Sequence, residues 1–199
     1  MTYRIVAPLL IALAGCSTDS PPVPPPQEPA LAAELPWATQ IEQVRSGAAH
    51  EISVYKQRLT DDDLRAIDGL TGLQSLVLGD TTLTDAAAHR IARHTSLVRL
   101  SVVSSQWTAD ALREVATLPK LDNLLLGRCS VDDAGFAELG KLTSLRFLIL
   151  REMPLTDASL DTVGKFSQLE SFYLSGTEIT ERGLARLQQQ RPALHIHGP

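Results

Sequence analysis

Five leucines, Leu73, Leu97, Leu121, Leu145 and Leu169, fall 24 residues apart with no insertion between them. The same spacing holds three residues later at Leu76, Leu100, Leu124, Leu148 and Phe172. It holds again two positions further on, at Leu78, Val102, Leu126, Leu150 and Leu174. Backwards it reaches Ile52 and Val54, with the small Ala49 at the first position. A constant period of this length marks one supersecondary unit repeated along the chain. A single unit cannot bury its apolar face alone, so the units must stack.

The second half of each unit is as regular. Leu59, Leu83, Trp107, Val131, Leu155 and Ile179 form an apolar column, and Thr60, Thr84, Thr108, Asp132, Thr156 and Thr180 follow it directly. Thr or Asp ahead of an apolar i, i+3 pattern predicts a helix N-cap. The next column is acidic at Asp61, Asp85, Asp133, Asp157 and Glu181, where a carboxylate favours the helix dipole; Ala109 is the exception. Core pairs follow at Leu64/Ile67, Leu112/Val115, Phe136/Leu139, Leu160/Val163 and Leu184/Leu187. Small residues at Ala87, Ala111, Gly135, Ser159 and Gly183 predict close approach of neighbouring units. Ala88 and His94 interrupt the apolar pattern of the second unit, which is expected to be the loosest.

An "LxxLxL" strand, a turn and an "LTDxxLxxL" helix at fixed period resemble the leucine-rich repeat family over residues 49–197. The likeness is nearest to the bacterial 24-residue variant, akin to the cysteine-containing and ribonuclease-inhibitor types. It implies an α/β right-handed solenoid, with a curved parallel sheet on the concave side and helices on the convex side. The turn column that often carries Asn or Cys in that family reads Thr81, Ser105, Cys129, Met153 and Thr177 here. Cys129 is expected to be a buried structural thiol, and Trp107 a core residue.

The ends differ from the middle. After Arg4, the run "IVAPLLIALA" (5–14) is too short to span a bilayer and matches a signal-peptide core. It leads into Leu13-Ala14-Gly15-Cys16, which resembles a bacterial lipobox; the alternative is an ordinary secretory signal with a chance cysteine. The resemblance implies cleavage after residue 15, lipidation of Cys16 and display at the cell envelope. Ser17, in place of Asp, implies outer-membrane sorting if the cell has an outer membrane. The bacterial leucine-rich repeat lipoprotein so read has a signal peptide at 1–15, a lipid-anchored tether at 16–36 and a repeat domain at 37–199. Seven of the twelve prolines lie in 17–36. In polyproline II geometry, Ser17 to Pro29 reaches about 40 Å. A proline-rich docking ligand is the alternative reading of that stretch.

Trp37, Ile41 and Val44 predict an amphipathic cap helix over 37–47, ahead of about six repeats over 49–192. At the other end "QQQRPALHIHGP" is read as breaking the 24-residue register, with Leu194 and Ile196 in a short terminal strand at 193–197 and glutamines in place of the next apolar helix position.

Chemistry finds little to work with. His195 and His197 lack a third metal ligand and read as a polar edge. "TDDD" (60–63) has neither the glycine nor the closing glutamate of a calcium loop and fits helix capping. No Gly-rich phosphate loop and no nucleophile–base spacing is present. No catalytic residue, metal or cofactor is therefore expected, and a metal-dependent or hydrolytic enzyme is the least favoured reading. A net charge of −5 argues against nucleic acid as a partner. With Cys16 lipidated, Cys129 has no disulfide partner.

Recognition would then fall to the concave face, to which residues between the repeat leucines alternate. Its central column is Ser53, Val77, Ser101, Leu125, Ile149 and Tyr173, and Phe147 lies beside it. Arg99, Arg146, Arg151 and also Arg128 edge this group. The expectation is a protein or peptide ligand of some acidic character on strands four to six. Strand propensity alone would also place such residues there, and a homodimer through the same patch is a further reading.

Overall fold

The computed structural model describes residues 35–55 and 57–198. The signal segment, Cys16 and nearly all of the tether lie outside the described residues. Helix α1 (Trp37–Arg45) precedes a seven-stranded parallel sheet in sequential order: β1 (Glu51–Val54), β2 (Ser75–Leu78), β3 (Arg99–Val103), β4 (Asn123–Gly127), β5 (Phe147–Arg151), β6 (Ser171–Ser175) and β7 (His195–His197). A helical segment follows each of the first six strands, as the α/β leucine-rich repeat solenoid requires. Adjacent strands pair with a 24-residue offset throughout, Leu124 on Leu148 and Leu148 on Phe172. The offset persists into the last strand, where Tyr173 pairs with His197. The expected break of register therefore does not occur in the sheet: β7 completes the ladder in step, and the change of composition falls on the helix side.

The repeat leucines all point inward. Leu76, Leu100, Leu124 and Leu148 are fully buried, as are Trp107, Phe136 and Phe172. With so few aromatics, the core is a continuous stack of aliphatic layers along the solenoid. At about 25 cal/mol per Å² of apolar area removed from water, this layer is the main stabilising term.

The helical segments are short and uneven: α2 (Asp85–Ile91) and α3 (Ala109–Val115) are regular. The first repeat instead has a 3-10 turn at Asp63–Ile67. The fourth runs from α4 (Asp133–Phe136) into 3-10 at Ala137–Lys141, and the fifth from 3-10 at Asp157–Ser159 into α5 (Leu160–Lys165). The sixth carries α6 (Glu181–Gln190). Five of the six expected caps form: the side chains of Thr84, Thr108, Asp132, Thr156 and Thr180 accept from backbone N–H groups of the next turn. Thr60 does the reverse, donating its N–H and hydroxyl to Asp63, both at 2.8 Å. Those bonds hold the Asp63 carboxyl below its usual range.

The second repeat, expected to be the loosest, is as well buried as its neighbours. Ala87, Ala88 and Ile91 are fully buried, and His94 is buried with its imidazole pKa pushed down by desolvation. The row of buried side chains therefore continues through this repeat without a break.

The acidic column does more than complement helix dipoles. Asp61 accepts the Thr84 N–H at 2.9 Å and the Thr84 hydroxyl at 2.6 Å, one repeat further on. Asp85 treats Thr108 the same way at 2.9 and 2.7 Å, Asp133 holds Thr156 at 2.9 and 2.6 Å, and Asp157 holds Thr180 at 2.8 and 2.9 Å. Each threonine hydroxyl donates to the preceding carboxylate while accepting from its own helix, so every clasp links cap to cap. Hydrogen bonds to an ionised acceptor are about twice as strong as neutral ones. The small third position makes room: a Cβ on Gly183 would lie 2.3 Å from the Asp157 carboxylate.

A second column closes the strand ends. Asp80, Ser104, Arg128 and Glu152 take φ of 48°, 62°, 51° and 49°, and Gly176 takes 62°. A non-glycine residue there costs roughly 1–2 kcal/mol. The turn carries the ladder onward, since the N–H groups of Ser104, Arg128 and Glu152 donate to the carbonyls of Gly127, Arg151 and Ser175 at 2.8–2.9 Å.

Candidate binding surface

Residues at alternate strand positions face away from the helices and form an open face. Three of its apolar side chains lie on consecutive strands: Leu125 on β4, Phe147 on β5 and Tyr173 on β6, each half-buried. Parallel pairing sets Leu125, Ile149 and Tyr173 in one row. At about 4.8 Å per strand the row spans roughly 10 Å.

Its middle residue does not reach solvent. Ile149 is 3% exposed, although it stands outside the inner core cluster. Leu125 and Tyr173 flank it at the closest spacing a sheet allows. Ile149 is therefore covered by its neighbours in the row and offers no surface to a ligand, contrary to the sequence-based expectation.

The arginine rim also differs. Arg146 chelates Glu170 through two hydrogen bonds of 2.9 Å and lies 3.5 Å from Asp122. The Glu170 carboxylate beside it raises the Arg146 pKa above its ordinary value. Its guanidinium carbon sits 5.4 Å from the centre of the Phe147 ring. Arg146 is thus neutralised within the chain, and its contribution to the face is to cover one side of Phe147. Arg128 pairs with Asp80 at 2.9 Å on the loop edge.

Arg99 and Arg151 are exposed on β3 and β5. Arg99 has no ion pair among the described residues. Arg151 stands beside Gly127, where a Cβ would meet its own Cβ at 3.5 Å. Val77 is half-buried on β2 and is cut off from the apolar row by the buried Ser101. Asn123, beside Phe147 in the ladder, is buried as well.

One contributor came from an unexpected place. The His197 ring stacks on Tyr173 with centroids 4.2 Å apart and planes 6° from parallel. The terminal strand is therefore part of the open face. The face that results is a narrow aromatic strip, Leu125–Phe147–Tyr173–His197, with Arg99 and Arg151 nearby. Among the described residues the large apolar side chains with the greatest exposure are elsewhere, Leu35 at 46% and Val98 at 36%.

Such a strip can offer ring faces and apolar edges to an extended chain, together with the Arg99 guanidinium. Its chemistry is contact and hydrogen bonding. Among the described residues no three His, Cys, Asp or Glu side chains converge as metal ligands. Cys129 is buried, with its thiol pKa raised by desolvation, and it shares a 3.1 Å hydrogen bond with Ser105. No helix among the described residues is long and apolar enough to cross a membrane.

No family model and no curated protein matches the sequence. Among solved structures the chain is similar to an internalin (inlF) from Listeria monocytogenes, with a TM-score of 0.54 and 20% sequence identity. The match covers 79% of this chain and 48% of the internalin, so the chain spans about half that protein's length. At this identity the likeness establishes the shared leucine-rich repeat fold.

Proposed function

We propose that this chain is a non-catalytic module that binds a protein or peptide on the open face of its sheet, and that lipidated Cys16 holds it at the cell envelope. One observation carries the reading. Every repeat leucine is spent on the core, yet three consecutive strands place Leu125, Phe147 and Tyr173 on the helix-free side, where the fold does not require apolar residues. Clustered aromatic side chains next to arginines are the composition enriched at binding hot spots. Leucine-rich repeat solenoids present extended surfaces of this kind, and the internalin likeness supports the fold on which this reading rests.

Arg99 gives the ligand its expected acidic character, with Val77 at the margin of the contact. The lipobox resemblance at Leu13–Cys16 and the proline-rich tether support an exported, lipid-anchored protein.

A crosslinking pull-down from envelope fractions, run with wild type and with Phe147→Ala plus Tyr173→Ala, tests the face. Capture should be lost while the thermal midpoint falls by only a few degrees; capture that survives overturns the reading. Light scattering on residues 37–199 identifies a homodimer if the mass doubles with concentration. Mass spectrometry of the mature N-terminus reads lipidation directly, and unmodified Cys16 would remove the anchor.

A further inference from the structure

Adjacent repeats are joined by an acid–threonine clasp at every junction described above except the one between the third and fourth. There both partners have changed. The acid is Ala109 and the threonine is Asp132, whose carboxylate accepts only from its own helix, at the Gly135 N–H, 2.9 Å. Retaining either original partner would leave an acid facing an acid or a threonine facing a methyl group, and the pair as found avoids both at the loss of the link. What crosses this junction on the helix side is an exposed Arg113–Glu138 pair and, deeper, the Ser105–Cys129 contact, and at the strand ends an exposed Arg128–Asp80 pair crosses it. A surface ion pair contributes little, and sulfur is a weak hydrogen-bonding partner.

A solenoid's stability is approximately a sum of repeat terms and nearest-neighbour interface terms. Cooperativity therefore fails first at the weakest interface. We propose that the junction between repeats three and four is a built-in seam, at which α1–β3 and their helices separate from β4–β7 as two units. The strip Leu125–Phe147–Tyr173–His197 lies wholly on one side, so it stays assembled while the first half opens and carries Arg99 away from it. Gly135 makes the seam repairable. A Cβ there would sit 3.3 Å from the Ala109 methyl, and glycine leaves room for a carboxylate at 109 just as Gly183 does over Asp157.

Native-state hydrogen exchange on the full chain tests this. Amides of β1–β3 and of β4–β7 should separate into two groups, whose exchange rates at low denaturant differ by about tenfold or more. Ala109→Asp with Asp132→Thr restores the clasp and should merge the groups. One common group in wild type overturns the proposal, as do two groups that persist in the repaired chain. If the repaired chain does not fold, Asp85→Ala with Thr108→Asp adds a second gap one junction earlier, and the β1–β3 group should itself divide between β2 and β3; a β1–β3 group that stays whole overturns the proposal. A Cys16→Ser chain gives an independent readout, because Cys129 faces Ser105 across the seam. Its thiol should label faster than global unfolding permits in wild type and about tenfold more slowly after repair.

Discussion

The two ends of the stack solve different problems with different chemistry. At the N-terminal end the first strand is paired on one side only among the described residues, so its outer edge presents both donors and acceptors. Gln40, buried on α1, meets both needs: its Oε1 accepts the Ser53 N–H at 2.7 Å, and its Nε2 donates to the Ser53 and Leu35 carbonyls at 2.9 Å. An amide can imitate a strand because it carries both kinds of group. At the C-terminal end the cap gathers carbonyls of the fifth repeat and of the start of the sixth. Ser96 and Ser144 serve the Leu73 and Leu121 carbonyls in the middle of the chain. Arg191 replaces them at the end, donating to Gly164, Phe166, Ser167 and Leu169 at 2.9–3.3 Å. Gln188 adds bonds to the carbonyls of Arg191, Pro192 and Leu194. A cap is therefore chosen by which backbone groups are stranded, and hydrophobic cover is only half of it.

If that is right, the ends should fail differently. The largest loss is expected for Arg191→Ala, about 3 kcal/mol in a urea titration, because several carbonyls lose a charged donor together. Arg191→Lys should recover less than half, since an ammonium lacks the planar fork. Gln40→Ala should cost about 1–2 kcal/mol. Gln40→Glu should do no better near neutral pH, because a carboxylate accepts from Ser53 but cannot donate to its carbonyl; full rescue by Glu would break the contrast. Away from both ends the sign reverses. Glu152→Gly should stabilise by about 0.5–1 kcal/mol by relieving a left-handed residue, whereas Gly176→Ala at the same position of the next repeat should destabilise.

The smallest expected effect lies in acid. Asp63 near the first end and Asp157 near the last both have carboxyl pKa values lowered, Asp63 by the N–H and hydroxyl of Thr60 and Asp157 by those of Thr180 and then by Arg186. A lowered folded-state pKa gives stability that is complete above the unfolded carboxyl value, near 4, and is lost as pH falls through the folded one. Urea midpoints should therefore decline below about pH 4. Asp63→Asn and Asp157→Asn should each flatten that decline, and high salt should weaken only the Asp157 share, through its Arg186 contact.

Much of the fold was legible because the leucines of every repeat meet the same surroundings. One column read correctly is read six times, and strand register, caps and core followed from it. The candidate surface was less legible. Exposure on a sheet face depends on both lateral neighbours, so Ile149 looked like surface until Leu125 and Tyr173 closed over it. The pairing of Arg146 was in reach, because Asp122, Arg146 and Glu170 occupy one column with alternating sign. His197 was also in reach: it stands 24 residues after Tyr173, in the same column, and the change of composition around it is what masks the continuing register. Gln40 and Arg191 were passed over because apolar periodicity carries no information about stranded carbonyls or N–H groups.

The clasps draw their acid from one repeat and their threonine from the next, which bears on how such a chain grows or shrinks. Excising residues 73–96 would bring Asp61 opposite Thr108, and the link would re-form. Excising the third repeat alone would set Asp85 against Asp132, and excising the fourth alone would set Ala109 against Thr156. Taken out together, residues 97–144 restore a sound partnership between Asp85 and Thr156. The third and fourth repeats are thus a couplet: among single and double excisions of inner units, these two are the ones that fit only when they leave together.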